Sequence, residues 1–527
     1  MHPVETFELV VGMLVAIVAL HWLAARLDWP PSIALLIGGG ALAFLPGAPV
    51  IRLDPELVLV LFLPPLLIDG AWVTEIARFR RHFLGILSLA IGAVVFTTLV
   101  VAWVAHWLFP SLPWAACAAL GAIVAPPDAV SARAVLKRVK LPRRLSTLLE
   151  GESLLNDATG LVLFRFAVAA AMGGAFHPGA AMGRFAILTI GGAVVGLVIG
   201  RLWIAMARRL HDELTLIVSF TLVGWLTYLA GEALHVSGVI ACVTAGLVLG
   251  WYQHVTLSAA ARMRGASFWS VLVFVFEAIV FMLIGLSLRE VLDRTGGIGA
   301  VLHETAWPLL AIIIAITAAR VAWILGMNLL LAVRVRIRPD GEGPLDTGSA
   351  IVMSWAGMRG VVTLAVALSL PEAMPGRDLM LLIAFGVILV TVVVQGSTLG
   401  LAIRLTGVRA TEADAPPMDL IAAERAMGRA QLAVVEQLAR TPDGTILHPR
   451  LLEQYTRRVT VNETFAGTAE ERTEAIESHF NLIIAAVTAG RAELVRLHRA
   501  HQIDDETLHS LERDLDLEEL GAISNMT

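Results

Sequence analysis

Charge is what this chain has least of. Asp, Glu, Lys and Arg make up 16% of its 527 residues, against about 25% in ordinary soluble domains. With 57% hydrophobic residues, that scarcity excludes an ordinary soluble enzyme, a disordered protein and a nucleic-acid binder. Cysteine is scarcer still. Cys117 and Cys242 both lie inside apolar runs, so there is no disulfide framework and no CxxC metal pattern. A basic leader is missing too. Met1 to Glu5 is acidic, and the apolar stretch behind it runs straight into further ones. It reads as a first membrane span rather than a cleaved signal.

The charge that is present is unevenly placed. Residues 410–527 hold 21 acids and 11 arginines, while residues 1–409 hold 28 basic and 23 acidic groups. The boundary separates an apolar transmembrane body, 1–409, from an acidic cytoplasmic tail, 410–527. Apolar positions at helical spacing over 419–439, 473–500 and 505–520 predict a mostly helical tail, with a turn at Thr441-Pro442-Asp443-Gly444. Its net negative charge argues against docking on anionic lipid.

A hydrocarbon core about 30 Å thick needs roughly 20 apolar residues of helix. Thirteen stretches answer to that length, roughly 7–26, 31–46, 55–73, 83–109, 113–136, 145–173, 181–207, 213–231, 236–252, 269–288, 306–333, 347–370 and 378–405. The loops between them alternate in charge. One set holds Arg26; Arg78, Arg80, Arg81; Arg133, Lys137, Arg138, Lys140, Arg143, Arg144; Arg208, Arg209; Arg262, Arg264; and Arg334, Arg336, Arg338. The other holds only Arg52, Arg184, Arg289, Arg294 and Arg377. The positive-inside rule puts the first set in the cytoplasm. The N-terminus is then outside and, with an odd number of spans, the tail inside.

Two stretches are interrupted. The fifth is broken by Ala125-Pro126-Pro127-Asp128-Ala129 and the twelfth by Gly357-Met358-Arg359-Gly360. If stretches 1–6 and 8–13 form two units, each break falls in the fifth member. An offset of seven turns the second unit upside down. Paired broken helices in inverted repeats point to a secondary transporter with its site near the midplane. The blander reading is two unrelated kinks.

An ionisable group in mid-membrane is costly unless paired or hydrated, so each is a candidate site residue. Those here are Asp69, Asp128, Glu152, Asp157, Arg165, Glu277, Arg320 and Arg359. The sixth stretch carries the densest cluster, Gly151-Glu152-Ser153-Leu154-Leu155-Asn156-Asp157. Ser153 and Asp157 are four apart and share a face. Glu152 and Asn156 form the next stripe. Hard cations want such oxygen ligands, whereas soft metals want thiolate or imidazole. A stripe that merely glues helices together explains Ser153 and Asn156 but not Asp157. At the fifth-stretch break, Pro126 and Pro127 free carbonyls near Val124 and Ala125 that could meet a cation. Asp128 reads as a cap paired with Arg359, or as a direct ion contact. Asp69 is either a further oxygen ligand or a group near the headgroups. Glu277 reads as packing or surface, and Arg165 as a structural counter-charge. His211, His235 and His254 read as loop residues without metal spacing.

Gly151-Glu152-Ser153-Leu154-Leu155-Asn156-Asp157-Ala158 resembles the signature of the monovalent cation/proton antiporters of the first cation–proton-antiporter group, bacterial relatives of the sodium/proton exchangers. Supporting matches are Leu63-Pro64-Pro65 ahead of Asp69, Pro126-Pro127-Asp128-Ala129-Val130, Ser237-Gly238-Val239, Phe281-Met282-Leu283-Ile284-Gly285, Ala319-Arg320-Val321 and Gly357-Met358-Arg359-Gly360. The likeness runs from about residue 7 to 405. It departs at one point: where many members carry an Asp directly before the proline of the broken helix, this chain has Pro126, with the acid at Asp128.

The resemblance implies an all-α membrane fold of thirteen helices in two inverted repeats, with broken helices 5 and 12 crossing in a moving core beside a dimerisation domain. It implies that Asp157 binds cation and proton in turn, that Asn156 supports the crossing backbones, and that Ser153 and Asp69 are further Na⁺ ligands. Glu152 would pair with Arg320, and Arg359 with Asp128. A homodimer in a bacterial inner membrane is implied, with Na⁺ and H⁺ as substrates, lipid as surroundings and no cofactor. The expected function is electroneutral exchange of one Na⁺ for one H⁺. K⁺/H⁺ exchange by the same machinery is the alternative. A cation channel would need a continuous pore. An intramembrane hydrolase would need a serine–base pair or an HExxH motif, and the chain has neither.

Overall fold

The structure is a computed structural model that describes residues 3–45, 55–128, 141–173, 178–210, 212–294, 305–337, 343–409, 418, 420–439, 446–464, 469–500 and 502–526. The chain divides into two compact units, 1–414 and 415–527. The elements of the first unit are helices: α1 (Pro3–Arg26), α2 (Pro31–Ala43), α3 (Pro55–Trp72), α4 (Phe83–Leu108), α5 (Trp114–Val124), α6 (Arg143–Ala171), α7 (Pro178–Ala207), α8 (Glu213–Ala233), α9 (Gly238–Thr256), α10 (Ala259–Arg294), α11 (Ala306–Ile337), the half-helices α12a (Thr347–Trp355) and α12b (Val361–Leu368), and α13 (Arg377–Thr406). A short helix, Ile76–Arg81, precedes α4. Nine helices among the described residues are long and apolar enough to cross a membrane, which makes the chain a multi-pass membrane protein; α2 and α5 are shorter apolar helices.

Local chemistry sets the ends. Proline opens α2 at Pro31, where its missing N–H costs nothing. Asp212, Ser237 and Asp346 cap α8, α9 and α12a by accepting from Thr215, Ile240 and Ser349 N–H groups. Gly407, at φ 67°, ends α13 in the left-handed conformation that suits glycine.

Several ends differ from the hydropathy reading. α10 begins ten residues before its expected start at 269. Its first turns carry Arg262 and Arg264, and Arg264 pairs with Glu213 of α8 at 2.7 Å. His254 lies in the last turn of α9, not in a loop. His235 sits in the turn before α9, and His211 lies outside the described residues. So does the far half of the fifth stretch, 129–140.

Backbones pack closely where side chains are small. A methyl on Gly39 would strike the Met282 carbonyl, and one on Gly285 the Leu36 carbonyl, so α2 and α10 touch main chain to main chain. Gly192 and Gly196, four apart on α7, meet the Ser237 and Ala241 carbonyls in the same way, and Gly200, one turn on, receives the Val248 side chain of α9. In lipid, where burying apolar side chains gains little, such contact is what holds helices together. The outer helices keep apolar side chains exposed, as Val15, Val18 and Trp22 on α1 show. By contrast, 72% of the apolar window of α13 is buried against 11% for α1, which places α13 inside the bundle.

The second unit holds α14 (Leu420–Leu438), α15 (Pro449–Thr464), α16 (Ala469–Arg499) and α17 (Asp505–Met526). Three match the expected tail helices; α15, whose sequence is strongly polar, was not expected. Arg491 of α16 ties α17 through Asp516 and Glu519 at 2.7 and 2.6 Å. The turn expected at Thr441–Gly444 lies outside the described residues.

Candidate functional site

Five of the eight mid-membrane ionisable residues line one cavity of about 500 Å³. It lies among α3, α6, α10, the α5 break and the α12 break. Asp69, Asp128, Glu152, Ser153, Asp157 and Arg320 all line it. Asp157 is fourteen residues into α6, about 21 Å along a helix twice that length. Its carboxylate makes no hydrogen bond or ion pair among the described residues. Ser153, one turn earlier, faces the same space.

The other charges are held by protein groups. Glu152 and Arg320 are both almost wholly buried, at 1% and 3% exposure. Arg320 Nη1 and Nη2 donate to Glu152 Oε1 and Oε2 at 2.6 and 2.8 Å, a bidentate pair of the strongest kind. Arg320 Nε adds a bond to the Met353 carbonyl of α12a at 3.1 Å. Asp69 Oδ1 accepts from the Trp269 indole of α10 at 3.0 Å.

Arg359 is seated on backbone. Its Nε donates to the Val124 carbonyl at 2.8 Å and its Nη2 to the Ala125 carbonyl at 3.2 Å, while Nη1 donates to the Gly357 carbonyl. The carbonyls of Val124 and Ala125, at the break, therefore receive a cation of the chain itself. They are the C-terminal end of α5, and Gly357 follows the C-terminal end of α12a. Both ends carry partial negative charge, and a guanidinium is the fitting complement. Asp128 occupies the opposite pole. Its N–H donates to the Met358 carbonyl at 2.6 Å. Its carboxylate lies against Cα of Gly360, the residue that starts α12b, where helix N–H groups favour an anion.

Asn156 ties the two halves of this arrangement. Its Nδ2 donates to the Pro127 carbonyl at 2.6 Å. Its Oδ1 is buried without a hydrogen-bond partner among the described residues. Arg165 pairs with Glu232 of α8 at 3.4 Å, well along α6 from Asp157, in keeping with a counter-charge. Glu277 is half-buried on α10.

Sequence reasoning missed four participants. Trp269 gave no signal, since its partner is 200 residues away. Thr391 accepts the Arg359 N–H at 3.1 Å from a π-helical turn, Thr391–Gln395, inside α13. Glu232, at the end of α8, gave no signal as the partner of Arg165. Gly360 was noted as a breaker, not as the seat of Asp128.

A bundle of apolar helices, one of them interrupted between α12a and α12b and another ending at Pro126-Pro127, around an acidic cavity at mid-depth defines a membrane transporter for small cations. Comparison sharpens that class: residues 3–404 match the family model described as "Sodium/hydrogen exchanger, transmembrane", and the chain belongs to that family. It is similar to the uncharacterized Na(+)/H(+) exchanger Rv2287 of Mycobacterium tuberculosis, 30% identical over 97% of this chain and 95% of that protein. It is 32% identical to the uncharacterized Na(+)/H(+) exchanger YjcE of Escherichia coli, over 89% of each. A Bacillus subtilis protein named a sodium, potassium, lithium and rubidium/H(+) antiporter is 33% identical over 69% of this chain and 56% of its own length. Among solved structures, the sodium proton antiporter MjNhaP1 of Methanocaldococcus jannaschii shares the fold, with a TM-score of 0.59 at 20% identity over 76% of this chain and all of that one.

Proposed function

We propose that the protein exchanges Na⁺ for H⁺, one for one and without net charge, by alternating access, with the two ions competing for Asp157. The observation that carries this is the contrast among the charges in and around one cavity. Glu152, Arg320 and Arg359 are engaged by fixed protein groups, whereas Asp157 faces the space with no partner among the described residues. A lone carboxylate facing such a cavity is costly, and a proton or a cation relieves it. Ser153 and Asp69 supply further oxygens for Na⁺. Asn156 is isosteric with Asp but has no proton to release, so the pair carries one titrating group.

In this reading the thirteen helices form two inverted repeats whose broken members cross at Arg359 and Asp128. The N-terminus is outside, the tail is cytoplasmic, and the protein works as a homodimer in a bacterial inner membrane. K⁺ as an additional substrate is the second reading, favoured by the range of cations in the name of the Bacillus subtilis relative.

The test is dequenching of a pH dye in inside-out vesicles on adding Na⁺, K⁺ or Li⁺ in turn. Wild type should respond to Na⁺, and Asp157→Asn should not, while remaining folded and inserted. Near-normal exchange by Asp157→Asn would remove the site assignment. Stoichiometry is read in proteoliposomes at equal pH and equal Na⁺ under a K⁺/valinomycin potential. A membrane potential is worth about 2.3 kcal/mol per charge per 100 mV, so potential-driven Na⁺ accumulation would refute one-for-one exchange.

A further inference from the structure

We propose that Trp269 is a positioning residue for cation binding: its indole N–H fixes the Asp69 carboxylate on the cavity wall and thereby sets the affinity for the transported cation. The inference rests on the exchange reading above and adds a residue to it. Trp269 Nε1 donates to Asp69 Oδ1 at 3.0 Å across two helices, α10 and α3. The indole is a donor only and does not titrate near neutral pH. The contact therefore persists whatever the state of Asp157. Ser270, the next residue, lines the cavity beside Asp69.

The ring that carries this donor is itself clamped. Trp269 is 7% exposed. It meets Phe220 of α8 edge to face with centroids 4.9 Å apart. Phe220 also meets Trp72 of α3 at 4.3 Å and Trp203 of α7 at 5.8 Å. Trp203 is fixed in turn by its own bond to Ser219 Oγ at 3.1 Å. Edge-to-face aromatic contacts of this kind resist sliding. Trp72 is one turn from Asp69 on α3, so the cluster holds both the donor and the helix that bears the acceptor. Three helices thus converge on Phe220 of a fourth, and Trp269 carries their rigidity to one cavity carboxylate. A donor in such a frame limits the carboxylate to few rotamers and lowers the ordering cost of ligating an ion.

The alternative is that Trp269 is packing and its N–H merely finds an acceptor. The two are separated by a double-mutant cycle on the purified full-length protein in proteoliposomes, measuring KM and maximal rate for Na⁺-driven proton movement. Asp69→Asn should raise the Na⁺ KM. Trp269→Phe should raise it about tenfold to a hundredfold, as loss of one charge-assisted bond implies, with the maximal rate unchanged within about twofold. In an Asp69→Ala background, which leaves the indole no acceptor, Trp269→Phe should add almost nothing. Trp269→Tyr keeps a ring and moves the donor, and carries the same comparison if Trp269→Phe does not fold. An unchanged KM in Asp69→Asn or in the tryptophan variant overturns the proposal, as does an equal factor in both backgrounds. Asp157→Asn is run beside them. Exchange by that variant would overturn the transport reading itself, whereas its silence together with a flat Trp269 cycle would overturn this inference alone.

Discussion

Replacing Glu152 should do more damage than replacing its partner, Arg320. The reason is a third charge. The side chains of Arg320 and Arg359 both come up against Cα of Gly357, so two buried guanidiniums lie beside each other near the Glu152 carboxylate. Glu152→Gln takes away the anion that both cations share. Arg320→Gln removes one of two cations, and Arg359 remains close by. Breaking a buried pair from one side costs about 3–5 kcal/mol, because the other charge is left without compensation. Glu152→Gln belongs at the upper end of that range and Arg320→Gln at the lower. The double variant should lose less than the sum, since it buries neither member of the pair. Unfolding of such a protein in detergent is irreversible, so the measurement is the temperature of half-loss of the monodisperse peak at a fixed heating time, for wild type, both single variants and the double. Strict addition of the two losses would show that the groups do not interact. A worse outcome for Arg320→Gln than for Glu152→Gln would show that Arg359 lies outside the network.

Three further outcomes follow from the same geometry. Gly360→Ala puts a methyl into the Asp128 carboxylate, and should depress exchange while a melt in detergent changes little; undiminished exchange would move Asp128 away from the start of α12b. Asn156→Ala removes the bond to the Pro127 carbonyl and should cost about 1–3 kcal/mol, as expected for a buried carbonyl left unpaired; an unshifted melt would contradict that bond. Gly285→Leu forces apart α2 and α10 where they touch backbone to backbone, and should lower the yield of folded protein; normal yield and melting would show that the contact is not tight.

The helices were legible because lipid imposes a simple code. A segment without water must satisfy its backbone internally, so a long apolar run is a helix. α6 and α13 lie within two residues of where hydropathy put them. α10 runs further than its apolar run because its first turns are amphipathic, with Arg264 reaching Glu213, and no hydropathy window registers such turns. The Glu152–Arg320 pair was legible through family resemblance and is present in the structure. The seat of Arg359 was not. Sequence shows a cation near an acid and invites a salt bridge. Only the fold shows that two helices end at that point and offer their carbonyls. Trp269 was invisible for a related reason: a donor becomes informative only when its acceptor is known, and Asp69 is 200 residues away.

The arrangement of charges bears on why a carrier of this kind would not leak. Suppose Asp157 were bare while the site passed between the two faces. The cavity would then hold a lone anion whose neighbours cannot move to meet it. Arg320 is committed to Glu152 by two short bonds, and Arg359 to three carbonyls. Neither can swing to neutralise Asp157 without leaving its own site uncompensated, at about 3–5 kcal/mol. On the proposed reading the empty, ionised site is therefore disfavoured during the crossing step. The occupied site, with H⁺ or Na⁺ on Asp157, is not. Crossing then happens only with a ligand aboard, and each crossing carries one positive charge on the same carboxylate in either direction. On this reading, rigid partners for Arg320 and Arg359 are as much a part of coupling as Asp157, which has no partner among the described residues. A cation loosened from its carbonyls would permit the bare crossing. Arg359→Lys keeps the charge but replaces the five-donor fork with a single ammonium, so it should leave Na⁺ binding in place while allowing uncoupled Na⁺ movement. Tightly coupled exchange in that variant would refute the argument.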